Sequence, residues 1–227
     1  MIITIDGPSG SGKSTLAILL AKHLNFFCLN SGYLYRGVAY VLKQYYGYDD
    51  TSFEAVDVAD VTSLLQSGVF RYEYESGLAT IYFKDVNITQ FLKNIDITTC
   101  AAKLGKQQEI RQAIRVYKRQ LASNKNIVIE GRVTGSVVFP NAEVKLYVVA
   151  SDDIRAERFM QLQAQRGITV TQQEALDLLK KRDETDKNRI IDPLVVPEGA
   201  VIIDTSQLSK EQAVQKALDV VKVAIEK

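Results

Sequence analysis

The chain has 227 residues, 46% of them hydrophobic and 24% charged, with a net charge of +1. That is ordinary globular composition, and it gives no broad electrostatic case for nucleic acid or an anionic membrane as partner. Two distant cysteines, Cys28 and Cys100, have no metal-like spacing, and the absence of a basic, apolar leader and of any long apolar run points to a reduced, cytoplasmic protein.

In chain order, Ile2-Ile3-Thr4-Ile5 reads as a buried strand. The segment "GPSGSGKST" follows, with Gly7, Pro8, Ser9, Gly10, Ser11, Gly12, Lys13, Ser14 and Thr15. It matches the pattern G-x-x-x-x-G-K-[ST], and a helical run begins at Thr15. Strand, glycine-rich loop and helix together define a phosphate-binding loop. Its backbone N–H groups and the helix N-terminus would cradle phosphates. Lys13 is expected to reach the β- and γ-phosphates, and the Ser14 hydroxyl to bind Mg2+.

Phe26-Phe27-Cys28-Leu29 is a candidate second strand, and Ser31 is read as the cap of a helix over about 33–46. Two alternating runs, Phe70 to Tyr74 and Ala79 to Phe83, flank Ser76-Gly77 and suggest a hairpin inserted between βα units. Residues 106–122 read as a basic helix. Buried strands are expected at 126–129, 144–149 and 201–204. Ser151 caps one further helix, Thr171 with Glu174 forms a capping box for another, and Ser209 opens the last. Five strands separated by helices predict an α/β fold, a parallel sheet with helices on both faces and its ligands at the carboxyl ends of the strands.

No Asn-Lys-x-Asp guanine-reading tetrad is present, which favours ATP over GTP. Phosphoryl transfer to a small acceptor needs positive charge around the moving group. Arg36, Arg132, Arg182 and Arg189 are the candidates; Arg155 and Arg158, after Ser151, read by themselves as ordinary surface residues. Arg182, Asp186 and Arg189 are spaced i, i+4, i+7 and would share one helical face; the bland alternative is a solvated ion-pair face. The same alternative holds for Arg111, Arg115 and Lys118.

Taken together, "IDGPSGSGKST", "NSGYLYR", "GRVTGSVVFP" and "RDETDKNR" resemble the bacterial cytidylate kinase family over about residues 2–225, loosely over 45–85. The resemblance implies the P-loop nucleoside monophosphate kinase fold. It also implies a core at about 1–40, 104–150 and 195–227, an acceptor-binding insertion at about 41–103 and a helical lid at about 151–194. It implies Mg2+ and ATP as donor and CMP or dCMP as acceptor; a monomer is expected, with no signal in the sequence for an oligomer. By the same resemblance Ser31 and Arg36 belong to the acceptor-binding segment, with Arg36 holding the acceptor phosphate, and Arg182 and Arg189 lie near the acceptor and transferring phosphates. Asp186 then binds the ribose hydroxyls, Arg132 and Arg111 lie near the base, and Arg155 and Arg158 lie near ATP. Lys13, Arg132, Arg182 and Arg189 form the implied catalytic set.

Two departures bear on the base. The family has Asp after Gly-Arg where this chain has Val133, and Ser where it has Ala102; both family side chains contact the 4-amino edge of cytosine. Asn30, Glu130 and Lys93 are smaller departures, from Asp, Asp and Arg. The alternatives left open are a UMP- or dTMP-preferring or relaxed kinase, a non-nucleotide acceptor, and a non-catalytic nucleotide-binding regulator.

Overall fold

β1 (Ile2–Asp6) is apolar because it lies in the middle of a sheet, with Ile3 and Ile5 fully buried. Burying each such side chain is worth about 1.5–3 kcal/mol. The computed structural model describes residues 1–226. After β1 come α1 (Lys13–Leu24), β2 (Phe27–Asn30), α2 (Ser31–Tyr45) and α3 (Val58–Gln66). The hairpin strands β3 (Phe70–Glu75) and β4 (Leu78–Phe83) and the short β5 (Val86–Asn87) follow, then α4 (Ile95–Leu104) and α5 (Gln108–Ala122). The chain ends with β6 (Ile127–Glu130), β7 (Val144–Val149), α6 (Asp152–Ala164), α7 (Gln172–Lys187), β8 (Val201–Asp204) and α8 (Lys210–Ile225).

The main sheet has five strands in the order β2-β6-β1-β7-β8. β1 pairs in parallel with β6 and β7, and β7 with β8. Ile5 is in register with Glu130, and Asp6 with Tyr147. The carboxyl ends of β1, β6 and β7 therefore lie side by side, where a doubly wound sheet binds its ligands. The expected α/β fold with a parallel five-stranded sheet is what the chain adopts.

By contacts the chain divides into two compact units, residues 1–27 with 126–227 and residues 28–125. The first holds the phosphate loop, the sheet strands β1, β6, β7 and β8, and the α6–α7 pair. In it, α1 buries Leu16, Ala17, Leu20 and Ala21 as one stripe and ends at Asn25, a left-handed cap. In the second unit α2 packs against α4, and α3 against α5. So α2 and α5, largely assigned to the core from sequence, sit in this unit with the inserted segment.

The hairpin is present, turned by Ser76 and Gly77 at φ of 53° and 81°, the type I′ signature that matches strand twist. A second such turn at Lys84 and Asp85 returns β5 onto β4, a strand the sequence did not announce. Among the described residues no helix is long and apolar enough to cross a membrane.

Candidate active site

The phosphate loop is shaped by its glycines. Gly7 has φ of 144°, and a Cβ there would lie 2.1 Å from the Val148 carbonyl oxygen. Only glycine lets β1 turn this close to β7. Lys13 and Ser11 are engaged within the loop. Lys13 Nζ donates to the Pro8 carbonyl at 2.5 Å and to Ser11 Oγ at 3.4 Å. Ser11 Oγ itself donates to Pro8 O at 3.0 Å. Lys13 is only 5% exposed. Burial pushes its ammonium well below the ordinary lysine value, helped by the charges of Arg132 and Arg182 and opposed by Glu130 and Asp6.

Ser14 Oγ donates to Glu130 Oε1 at 3.1 Å. A hydroxyl and a carboxylate oxygen side by side at the mouth of the loop are hard donors that suit Mg2+ shared with phosphate oxygens. The residues present therefore fit that ion. Glu130 holds this place although the family resemblance leads one to expect Asp there.

Asp6 was not singled out from sequence, and it organises the next part. It is fully buried and accepts from Thr134 N at 2.8 Å, Thr134 Oγ1 at 2.8 Å and Gly135 N at 2.7 Å. Burial raises its carboxyl above the ordinary aspartate value, and these three hydrogen bonds oppose the shift. The turn after β6 is thereby fixed, and it carries Arg132 and Val133. Val133 is 8% exposed, at the start of a π-helical turn over Thr134–Val138.

The α6–α7 pair has its own small core, Ala156, Ala175 and Leu179, with Phe159, Met160, Val170 and Leu176 against it. Ser151 caps α6, and the Thr171–Glu174 capping box opens α7, both as expected. The buried face of α7 is Ala175, Leu179, Asp183 and Asp186. Arg182 lies on the exposed side, and α7 ends at Lys187, so Arg189 is beyond the helix. The expected i, i+4, i+7 helical face is therefore corrected at its end, where Arg189 lies past the helix; Asp183 is buried with Asp186, while Arg182 is exposed with its charge acting on Lys13.

The ion pairs still converge. Asp186 pairs with Arg189 Nη2 and accepts from Arg132 Nε at 2.7 Å. Arg132 Nη2 donates to Ser9 Oγ at 2.8 Å, which links this cluster to the phosphate loop. Arg155 and Arg158 are held by protein groups. Arg155 Nε donates to Ser9 O at 2.7 Å, and its other nitrogens pair with Asp152 and Asp183. Arg158 donates to Thr205 Oγ1 and to Thr205 O, both at 2.9 Å, and Thr205 Oγ1 in turn donates to Ser11 O at 2.9 Å.

The remaining sequence-derived residues lie in residues 28–125. Asn30, rather than Ser31, caps α2, accepting from Tyr33 N at 2.9 Å. Ser31 is thus the first residue of the helix, and its buried Oγ has no hydrogen-bond partner among the described residues. Arg36 lies over the Tyr33 ring, 5.1 Å from its centre. Ala102 is exposed on α4. Arg111 is buried on α5 and donates to Gly105 O at 3.2 Å. Lys118 is also buried, over the Tyr35 ring, so the row of Arg111, Arg115 and Lys118 is not a solvated face.

Comparison with known proteins agrees with this chemistry. The cytidylate kinase family model matches residues 3–223. A cytidylate kinase of Chlamydia caviae is 38% identical over 223 residues, covering 97% of this chain and 98% of its own length. One from Thermotoga maritima is 36% identical over 220 residues, covering 97% and 96%. Among solved structures, an uncharacterized protein from Eubacterium ventriosum has a TM-score of 0.55 at 15% identity over 98% of each chain, a likeness of fold alone.

Proposed function

The chain belongs to the cytidylate kinase family, which are nucleoside monophosphate kinases, and from that premise we propose that it transfers the γ-phosphoryl group of ATP to CMP or dCMP. The observation that carries this reading is the chain of contacts Ser9–Arg132–Asp186–Arg189, which connects the phosphate loop to a cluster of guanidinium groups. An acceptor phosphate oxygen attacks the γ-phosphorus, the bond to the β–γ bridging oxygen breaks, and ADP leaves. No side-chain nucleophile is required.

In this reading the loop N–H groups and Lys13 hold the donor phosphates. On nucleotide binding Lys13 Nζ exchanges the Pro8 carbonyl for phosphate oxygens. Ser14, with Glu130 beside it, holds Mg2+, which supplies charge neutralisation on the β- and γ-phosphates. Arg132, Arg182 and Arg189 stabilise the transferring group, since guanidinium forks bind phosphate oxygens bidentately. Ser31 and Arg36 hold the acceptor phosphate; the partnerless Ser31 hydroxyl suits that role. Asp186 takes the ribose, and Arg111 and Arg132 lie near the base. Arg158 contributes to the ATP side. Residues 41–103 act as the acceptor-binding insertion and 151–194 as the lid, closing to exclude water. The enzyme works as a cytoplasmic monomer.

A second reading is favoured by Val133 and Ala102, which carry no side-chain acceptor for a 4-amino group. It is a kinase with relaxed base preference that also accepts UMP or dTMP. A coupled assay of ADP release across CMP, dCMP, UMP, dTMP, AMP and GMP tests both. CMP and dCMP as the fastest acceptors support the first reading. Comparable rates with UMP or dTMP support the second. No ADP release above the acceptor-free rate overturns both in favour of a non-catalytic regulator.

A further inference from the structure

The contacts of Ser9 lead beyond this reading. Ser9 is 5% exposed, and its polar groups are taken by side chains from distant parts of the chain. Its N–H donates to Asp183 Oδ1 at 3.2 Å. Its carbonyl accepts from Arg155 Nε at 2.7 Å. Arg155 Nη2 and Asp183 Oδ2 close the triangle as an ion pair. Arg155 and Asp183 are themselves 6% and 7% exposed. The next residue, Gly10, allows no slack: a Cβ there would sit 3.2 Å from both the Arg155 Cβ and its carbonyl oxygen.

Thus α6 supplies Arg155, α7 supplies Asp183, and between them they hold Ser9 of the phosphate loop from both sides: Asp183 takes the N–H of the Pro8–Ser9 peptide and Arg155 the carbonyl of the Ser9–Gly10 peptide. Arg155 directs Nε, Nη1 and Nη2 to protein oxygens, to Ser9, Asp152 and Asp183. Its guanidinium is committed to shaping the loop rather than to a nucleotide.

We propose that Asp183 is a positioning residue that, through Arg155, holds the Ser9–Gly10 peptide in the shape that receives the donor phosphates. A phosphate nest works only when successive N–H groups converge, and a displaced peptide aims one of them away. The Ser9 hydroxyl is also the acceptor for Arg132, so a shift of this peptide carries Arg132 with it. The α6–α7 pair then sets donor affinity through the loop as well as by covering it. The proposal rests on the kinase reading only for the turnover arm of its test.

The test measures ADP affinity by titration calorimetry, and kcat and KM by ADP release, on the full chain. Asp183→Asn keeps an acceptor for Ser9 N–H and loses the charge facing Arg155. It should weaken ADP binding by about 10- to 100-fold, the scale of a remote misplacement of around 1 Å. The KM for the monophosphate should change by less than about threefold, because acceptor binding is not what is lost.

Arg155→Met with Asp183→Leu removes the buried pair at similar volume, so its melting temperature should recover to near wild type. ADP affinity should stay low in this double variant. Wild-type ADP affinity in the stable double variant, or in Asp183→Asn, would overturn the proposal and leave the pair a packing element. If the wild type bound ADP and phosphorylated no monophosphate, the kinase reading would fall while the ADP comparison still decided the role of Asp183.

Discussion

Arg132 Nε donates to Asp186 Oδ2 at 2.7 Å, joining the turn after β6 to the buried face of α7. Asp186 also pairs with Arg189, so one carboxylate, with only 8% of its side chain exposed, orders two guanidinium groups. In the kinase reading those two groups face the transferring phosphoryl.

Arg189→Ala should therefore lower kcat/KM by about 100-fold, the scale of losing one preorganised charge. Arg189 lies past the end of α7, so the melting temperature should fall by no more than a few degrees, within the range about 1 kcal/mol produces. Steady-state kinetics and thermal unfolding of the same preparation check this. A large stability loss with unchanged kinetics would return Arg189 to the role of a structural ion pair.

Lys13 gives a prediction of opposite sign for stability. Its side chain is buried in the loop, so Lys13→Met is the fair replacement. Burial holds the folded-state pKa below the unfolded value, so the unfolded chain binds more protons between the two. Stability of the nucleotide-free enzyme should therefore rise with pH across the window below about 10.4, the ordinary lysine value. Lys13→Met should flatten that slope, match or exceed the wild-type melting temperature at pH 7, and lose at least roughly 100-fold in turnover. Thermal unfolding against pH, with and without the substitution, tests the sign.

Tyr72 ties β3 to the segment that precedes the partnerless Ser31 hydroxyl. Its hydroxyl donates to Cys28 O at 2.9 Å and accepts from Asn30 N at 3.0 Å. Tyr72→Phe leaves both groups without this partner and should cost about 1–3 kcal/mol. The displaced cap should also raise the KM for the monophosphate more than it lowers kcat. Chemical denaturation and kinetics report the two effects separately.

Base preference is the point on which Val133 and Ala102 bear. A cytosine whose 4-amino group stays unpaired in a buried site loses about 1–3 kcal/mol, roughly a 5- to 150-fold penalty. UMP and dTMP carry a 4-oxo group and escape it. The ratio of kcat/KM for CMP over UMP should rise by that order in the Val133→Asp/Ala102→Ser double variant. A high CMP preference in the wild type, unmoved by the double substitution, would mean that other groups read the base.

The sheet, the phosphate loop, the hairpin and most helix starts were legible because each has a local cause: β-branched runs, glycines at positive φ, and capping residues. The site was legible less evenly. The cap of α2 was read at Ser31, but the adjacent Asn30 can cap equally well, and in the folded chain Asn30 takes the cap. Asp183 was missed on α7 because that helix's charges were followed instead of its few apolar residues. Ala175 and Leu179 extended along the same stripe lead to Asp183 and Asp186. Asp6 and Arg155 had no local signal, since their partners, Thr134 and Asp183, are remote in the chain and meet them only in the fold.

The most direct measurement follows the phosphoryl group itself. ATP labelled at the γ-phosphorus is incubated with Mg2+, CMP and the protein, and the labelled products are separated. The expected result is label in CDP at a rate equal to ADP release, with little in inorganic phosphate and transfer at least about 100-fold slower with Lys13→Met. Label appearing only in inorganic phosphate, with CMP unchanged, would contradict the assignment of this chain as a phosphotransferase acting on nucleoside monophosphates.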